Sequence, residues 1–454
     1  MSIVYRSAVS NFIFLGNKDA TSALRGIAVL SHELLKETQE VELADVLRPR
    51  GQWASSNKPL TTTPPYEDLR EFFDLPWFRR VWVIQEATLA KKNVCICGVA
   101  IFDLISVVRA GVWLLHKEHF LNDAGLTRTL NRALGLFDLL DHDQGYYATH
   151  RHTLYNLLRM IQGLECKIPS DRVFGIYGML EHFQIPGWQD LRPDYALPME
   201  RVFEKATRTA LADMNGDLLP LQQVSHVDEI AMRRGPSWVP DYSISNQDER
   251  LSNELRAQFE ASSGSKRDSQ LDFGFSNAGQ LAVAGFVIGT IVGTTAPIFC
   301  KRLSTAQHLS ERFDRIEALV EQHCPDDIQS RFALSTVPLT LTGGQRASCS
   351  ELMEWEAFRN SMNGSLQGTL EHEVRDKASL PASLGLYLDT LEACLNRKVF
   401  AVENGFIGLG PLLTDCNDIV VVLEGLQWPA VLRPSMTGFY FLGVAYVHDI
   451  MDVR

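Results

Sequence analysis

Asn11-Phe12-Ile13-Phe14-Leu15-Gly16 is the stretch whose reading sets the fold class. A compact apolar run closed by a glycine is the pattern of a buried strand. Ahead of it, Ser2 to Ser10 reads as a short helical piece. Behind it a helix runs from about Ala20 to Thr38, with Ala23, Leu24, Ile27, Leu30 and Leu34 on one face. A loop rich in Pro, Ser and Thr covers Pro49 to Pro65, and a helix follows over Tyr66 to Leu75. The next strand is Asn93 to Cys97, stopped by Gly98. Strand, helix and strand in alternation predict α/β packing for residues 1–100.

Further along, residues 101–243 are mostly helical in pattern and are expected to complete that core. Leu154, Leu157, Leu158 and Ile161 recur at helical spacing, as do Val202, Phe203, Ala206 and Ala210. Residues 244–280 are polar, contain Ser262-Ser263-Gly264-Ser265, and read as a linker. Residues 281–454 turn to short β-type runs: Leu281 to Ile291, Lys398 to Val402, Ile419 to Leu423, Ala430 to Arg433 and Tyr440 to Val447. Such runs, separated by Gly and Pro turns, predict a small barrel or sandwich, with a flexible insertion near 360–378.

The 454 residues carry 43 Lys plus Arg against 55 Asp plus Glu, a net charge of −12. That balance argues against a broad nucleic-acid surface. No run approaches the roughly 20 apolar residues of a spanning helix, and Met1 to Arg6 lacks the order of a signal peptide. The expected compartment is cytoplasmic. Eight cysteines fit it: Cys95 and Cys97 sit in an alternating β-type run, the rest are scattered, and no CxxC or CxxH knuckle is present. Buried reduced thiols are expected, with neither disulfide nor metal.

Four blocks carry a family resemblance. They are Pro76 to Glu86 (PWFRRVWVIQE); Ser170 to Leu180 (SDRVFGIYGML); Pro193-Asp194-Tyr195 with Pro236-Ser237-Trp238-Val239-Pro240-Asp241-Tyr242-Ser243; and Asn404 to Pro411 with Val431 to Pro434 and Tyr446 to Asp452. In order and spacing they resemble the fungal heterokaryon-incompatibility (HET) domain proteins. The resemblance implies a partial TIR-like (flavodoxin-like) α/β layer, a helical middle region and a β-rich C-terminal module. Full-length members open with two strands ahead of the helix that here starts at Met1. An N-terminally truncated domain is therefore expected, with an exposed sheet edge that later segments or a partner must cover.

The same resemblance implies a role in nonself recognition and programmed cell death, through a protein partner or self-association. Some TIR domains cleave the nicotinamide–ribose bond of NAD with one glutamate. By that analogy Glu86 is the catalytic carboxylate, Arg80 holds phosphate or orients it, and Trp82 and Gln85 line the cofactor site. NAD enters only through this analogy; no cofactor follows from the residues themselves. The structural reading of the same residues is a tryptophan in the core and an Arg–Glu pair tying a helix to its neighbours. A third reading is a non-catalytic accessory protein of a secondary-metabolite gene cluster. Asp171 is expected as an N-cap or first-turn carboxylate, and Trp238 to Asp241 as a turn pinning the helical region to the first layer. His142, His150 and His152 suggest a solvated loop. His448-Asp449 lacks a nucleophile elbow, and Gly405, Gly408 and Gly410 read as a tight turn between strands.

Overall fold

A computed structural model of the chain describes residues 2–40, 65–116, 152–214, 217–243, 279–297, 306–323 and 396–451, with short pieces between them. The predicted 49–65 loop lies outside the described residues but for Pro65. So do most of the 244–280 linker and all of the 360–378 insertion. The chain divides into two units, one of Met1–Asp213 with Tyr242–Asn246, the other of Met214–Asp241 with Gln247–Arg454. Residues 214–241, read from sequence as part of the helical region, thus group with the C-terminal unit.

The first unit is mixed α/β. A short helix α1 (Ser2–Ser7) leads into β1 (Asn11–Gly16), α2 (Thr21–Glu40), α3 (Tyr66–Phe73), α4 (Pro76–Arg79), α5 (Val83–Thr88), β2 (Asn93–Cys97), β3 (Ala100–Asp103) and α6 (Leu104–His116). β1 and β2 pair in parallel, Phe12 beside Val94 and Phe14 beside Ile96. β2 and β3 pair antiparallel, Ile96 beside Ile101, giving a three-stranded sheet in the order β1-β2-β3. Ile13, Leu15, Cys95 and Cys97 are buried, and α6 packs on β2 and α2. Phe12 and Phe14 are exposed, so β1 is buried on one face only. The unbroken apolar run masked a period-2 alternation, because the outward positions are as hydrophobic as the inward ones.

An aromatic cluster anchors the segment that follows. Phe72 and Phe78 have ring centroids 5.6 Å apart, Phe73 and Phe78 5.7 Å, and Trp77 meets Phe78 edge-on at 5.2 Å. The helical part then comprises α7 (Leu154–Met160), α8 (Asp171–Phe174), α9 (Tyr177–His182) and α10 (Met199–Asp213). Thr153 caps α7 by accepting from the Asn156 amide at 3.2 Å, and Asp213 accepts from the Leu154 amide at 3.1 Å. Val202, Phe203, Ala206 and Ala210 form the buried stripe of α10. Phe203 meets the Tyr242 ring at 5.3 Å, and Thr207 Oγ1 lies 3.1 Å from the Tyr242 hydroxyl.

The second unit holds a seven-stranded antiparallel sheet. Its strands are β6 (Gly285–Thr294), β7 (Arg397–Val402), β8 (Ile407–Pro411), β9 (Ile419–Leu423), β10 (Ala430–Ser435), β11 (Gly438–Val444) and β12 (Tyr446–Val447), in the order β11-β10-β9-β6-β7-β8-β12. The minor pair β4 (Gly274–Phe275) and β5 (Leu281–Ala282) stands apart. Phe400, Val402, Val420, Val422, Val431, Leu442, Ala445 and Val447 make the core. Of the three glycines expected in one turn, only Gly405 turns the chain, at φ 88°. Gly408 and Gly410 lie inside β8 against the Phe400 ring, and a Cβ on Gly408 would stand 2.6 Å from the Tyr446 carbonyl. Trp238 belongs to this unit, where its indole donates to the Gly279 carbonyl at 2.9 Å.

Within this unit His226 and Ser237 tie the 217–241 segment to β11. His226 Nε2 lies 3.0 Å from the Ser237 carbonyl and 3.1 Å from that of Phe441, while Ser237 Oγ accepts from the Phe441 amide at 2.8 Å. Burial pushes the His226 pKa down, against the raising effect of its two carbonyl partners and of Asp241. His448 is lowered in the same way by burial. Both rings are neutral when folded and take up protons more readily unfolded. Stability is therefore full above the unfolded histidine value of about 6.5 and falls as pH drops below it. Denaturant midpoints at pH 7.5, 6.5 and 5.5 are expected to fall in that order, with a shallower fall in His226→Gln.

Among the described residues no helix is long and apolar enough to cross a membrane, and no group of three His, Cys, Asp or Glu could hold a metal ion. Among the described residues Cys95, Cys97, Cys166, Cys394 and Cys416 form no disulfide. Burial pushes the Cys95 thiol up to about 12, so it stays protonated and unreactive. His142 and His150 lie outside the described residues; His152 stacks on Phe183 with centroids 3.9 Å apart.

Candidate functional site

Pro76 at the first position of α4 starts a single helical turn that ends at Arg79, because Arg80 turns to extended backbone. Arg80 then bridges to Glu165, and the Val81 amide donates to the Glu165 carbonyl at 3.0 Å. This pinning fixes where α5 begins. Glu86 lies in the first turn of α5, and its backbone carbonyl accepts from the Asn11 side chain at 3.1 Å. The start of β1 and the end of the Pro76–Glu86 block are thereby held together.

Glu86 is half-buried, and burial raises its carboxyl pKa. The charge of the exposed Arg80 and a hydrogen bond from the Trp77 indole pull the other way without cancelling the burial. Tyr5 on α1 faces the same pair. Burial raises its pKa, the Glu86 charge raises it further, and Arg80 lowers it. The cluster is thus one half-desolvated carboxylate among one cation, one indole and one phenol. It can stabilise a developing positive charge or accept a proton at a pH above the usual carboxylate range. Tyr5 and Trp77 were not singled out from sequence. Tyr5 sits some eighty residues from Glu86, and Trp77 reads as plain core.

Of the other two expected site residues, Trp82 turns to a different carboxylate. Gln85 is buried. Trp82 directs its indole Nε1 to Asp171 Oδ2 at 3.2 Å, and Tyr195 donates to Asp171 Oδ1 at 2.8 Å. Asp171 is a first-turn residue of α8, with Ser170 as the cap position, but its carboxylate serves these side chains and not the helix end. Burial and the Asp171 hydrogen bond push the Tyr195 phenol up to about 12. Arg172 turns inward, donating to the Ile161 carbonyl at 2.7 Å and to that of Gln162 at 3.3 Å. Three of the four sequence blocks therefore meet at one buried carboxylate, a joint of the first unit distinct from the Glu86 cluster.

Residues 1–86 match the family described as heterokaryon incompatibility protein (HET), and residues 349–454 match the Het-6 beta-barrel domain. The chain is similar to the heterokaryon incompatibility protein 6, OR allele, of Neurospora crassa, at 24% identity over 445 residues. The alignment covers 83% of this chain and 64% of that protein, so the chain spans somewhat under two thirds of its relative's length. No solved structure matches. The α/β unit that ends its match at Glu86 and the seven-stranded sheet at the other end define a two-part architecture. The chain is thus similar to the fungal HET-domain proteins over its first 86 residues and to the Het-6 beta-barrel domain over residues 349–454.

Proposed function

We propose that the protein acts in heterokaryon incompatibility, contributing to nonself recognition by contact with another protein and triggering cell death in fused cells. The observation that carries this reading is the uncovered apolar side of the β1-β2-β3 sheet. Phe12, Phe14 and Ile101 stand exposed there, Phe14 and Ile101 on either side of Ile96 and Phe12 one row away beside Val94. Contiguous apolar surface of that kind marks an interaction site. The parallel pair β1-β2 is, on this reading, part of the TIR-like (flavodoxin-like) layer that the family resemblance implies. The test is hyphal fusion between strains, scored by dye uptake in fused cells. Wild-type protein is expected to give death, and Phe12→Ser/Phe14→Ser at equal protein level to give survival. Death undiminished in the variant would sink the reading.

A second reading is favoured by one observation, the raised carboxyl of Glu86 beside Arg80. A carboxylate kept half out of water is suited to face the oxocarbenium-like charge that develops on a ribose as its bond to nicotinamide breaks. Water then takes the place of nicotinamide at the ribose carbon and loses one proton. Nicotinamide release from NAD by the purified chain is expected to fall at least 100-fold in Glu86→Gln. Equal release from both proteins would exclude Glu86 as the catalytic group.

A further inference from the structure

The uncovered side of the first unit's sheet is unusual in three ways. It is apolar at five of six positions: Phe12 and Phe14 on β1, Val94 and Ile96 beside them on β2, and Ile101 beside Ile96 on β3, with Asp103 beside Val94 the one charged position. Phe12, Phe14 and Ile101 are 69%, 62% and 71% exposed. Finally, β1 is the terminal strand among the described residues, and its six positions contain neither a charge nor a proline. Edge strands of monomeric proteins normally carry such protection.

We propose that this face packs against the same face of a second copy of the chain, forming an isologous two-fold dimer. The inference rests on the interaction reading above and names its partner. An apolar sheet face is matched by a second apolar sheet face about 10 Å away, each row of side chains interdigitating with the other. With aromatic side chains offering about 150–250 Å² each and Phe12 and Phe14 about two thirds exposed, these residues present roughly 350–500 Å² per copy. That falls short of the lower limit of a stable specific interface, about 600 Å² per partner, so the contact is a weak one. The dimer is therefore a concentration-dependent one, suited to a switch between separate and paired states.

Charge selects the orientation. A two-fold axis across the strands lays β1 over β1, Phe12 above Phe14 of the second copy. Lys91 and Lys92, exposed just ahead of β2, then lie over the opposite end of the second copy's sheet. That end carries Asp19, exposed just past β1; the neighbouring Lys18 carbonyl accepts from Cys97 Sγ at 3.5 Å, which places this turn at the end of β2. Lysine thus faces aspartate twice, once at each end. An axis along the strands would set Lys91 and Lys92 over their own copies.

Sedimentation of the purified full chain over a hundredfold concentration range tests the proposal. Wild-type protein is expected to pass from monomer to dimer. Phe12→Ser/Phe14→Ser is expected to remain monomeric with unchanged far-ultraviolet circular dichroism. Phe286→Ser, which removes an exposed aromatic from the second unit, is expected to dimerise as wild type. Should the double variant fail to fold, Lys92→Asp is expected to weaken dimerisation at least tenfold and Lys92→Asp/Asp19→Lys to restore it. A wild-type monomer at every concentration would overturn the dimer, as would a double variant that still pairs or a charge swap that restores nothing. Loss of fusion-cell death in a Phe12/Phe14 variant of a monomeric protein would leave the interaction reading standing with a different partner. A dimer whose disruption leaves death unchanged would sink the interaction reading instead.

Discussion

Replacing Arg433 by methionine is expected to destabilise the C-terminal unit by about 3 kcal/mol, the low end of the roughly 3–5 kcal/mol for stranding a buried charge. Arg433 Nε and Nη2 meet the two oxygens of Asp418 at 2.8 and 3.0 Å, Nη2 also donates to the Leu413 carbonyl at 2.6 Å, and Nη1 meets Glu229 at 3.0 Å. Asp418 is only 2% exposed, and its remaining donor is the Asp415 amide at 2.7 Å. The forked guanidinium joins β10 to the turn before β9 and to the helix Glu229–Arg233 in one side chain. Its hydrogen bonds to Asp418 outweigh its burial and raise its pKa, so it remains charged throughout. Lysine is expected to recover little, because one ammonium cannot reproduce a bidentate pair and two further bonds. Glu229→Gln, which removes only the exposed arm, is expected to cost no more than about 1 kcal/mol. Urea midpoints of the three variants check the order. An Arg433→Met protein as stable as Glu229→Gln would show that the buried pair adds nothing over an apolar contact.

Periodicity made most of the elements legible. Asn93–Cys97 and Ile419–Leu423 form with the bounds read from sequence, and the helix at Thr21 and the strand at Asn11 lie where the apolar spacing put them. Arg433, by contrast, stood out only as part of Val431-Leu432-Arg433-Pro434. Nothing local announces that its partner is Asp418, because an ion pair between strands depends on sheet order and not on spacing. The glycines of Asn404–Pro411 were misread for a related reason. Gly405 supplies a positive φ, which sequence can suggest, whereas Gly408 is required by the Phe400 ring across the strand pair, which it cannot. The same holds at the site. Glu86 was visible within its motif, but the indole, phenol and guanidinium around it come from α1, α4 and the bridge to Glu165.

Asp171→Ala is expected to lower stability by about 3 kcal/mol, and Glu86→Gln to lower it not at all. The Asp171 carboxylate is 6% exposed and accepts from an indole and a phenol that come from two other segments. Its loss removes two hydrogen bonds to a charged acceptor, worth about 1.5–3 kcal/mol each, and strands the half-buried Trp82 N–H; Tyr195, largely exposed, recovers part of the loss by turning to water. Asp171→Asn, which keeps an acceptor in place, is expected to recover about half. Glu86 has the opposite sign. Its folded pKa is raised by burial, so the folded state disfavours its charge, and its contribution to stability grows as pH falls toward the carboxylate range. A neutral isostere removes that penalty, and Glu86→Gln is expected to unfold at a denaturant concentration equal to or above wild type at pH 7, the difference closing as the pH is lowered. A carboxylate that costs stability where it stands is kept for what it does to something else, whereas one that stabilises is accounted for by the fold. If Glu86→Gln instead weakens the protein as Asp171→Ala does, Glu86 is a second structural joint of the same segment, and the hydrolytic reading loses its physical basis.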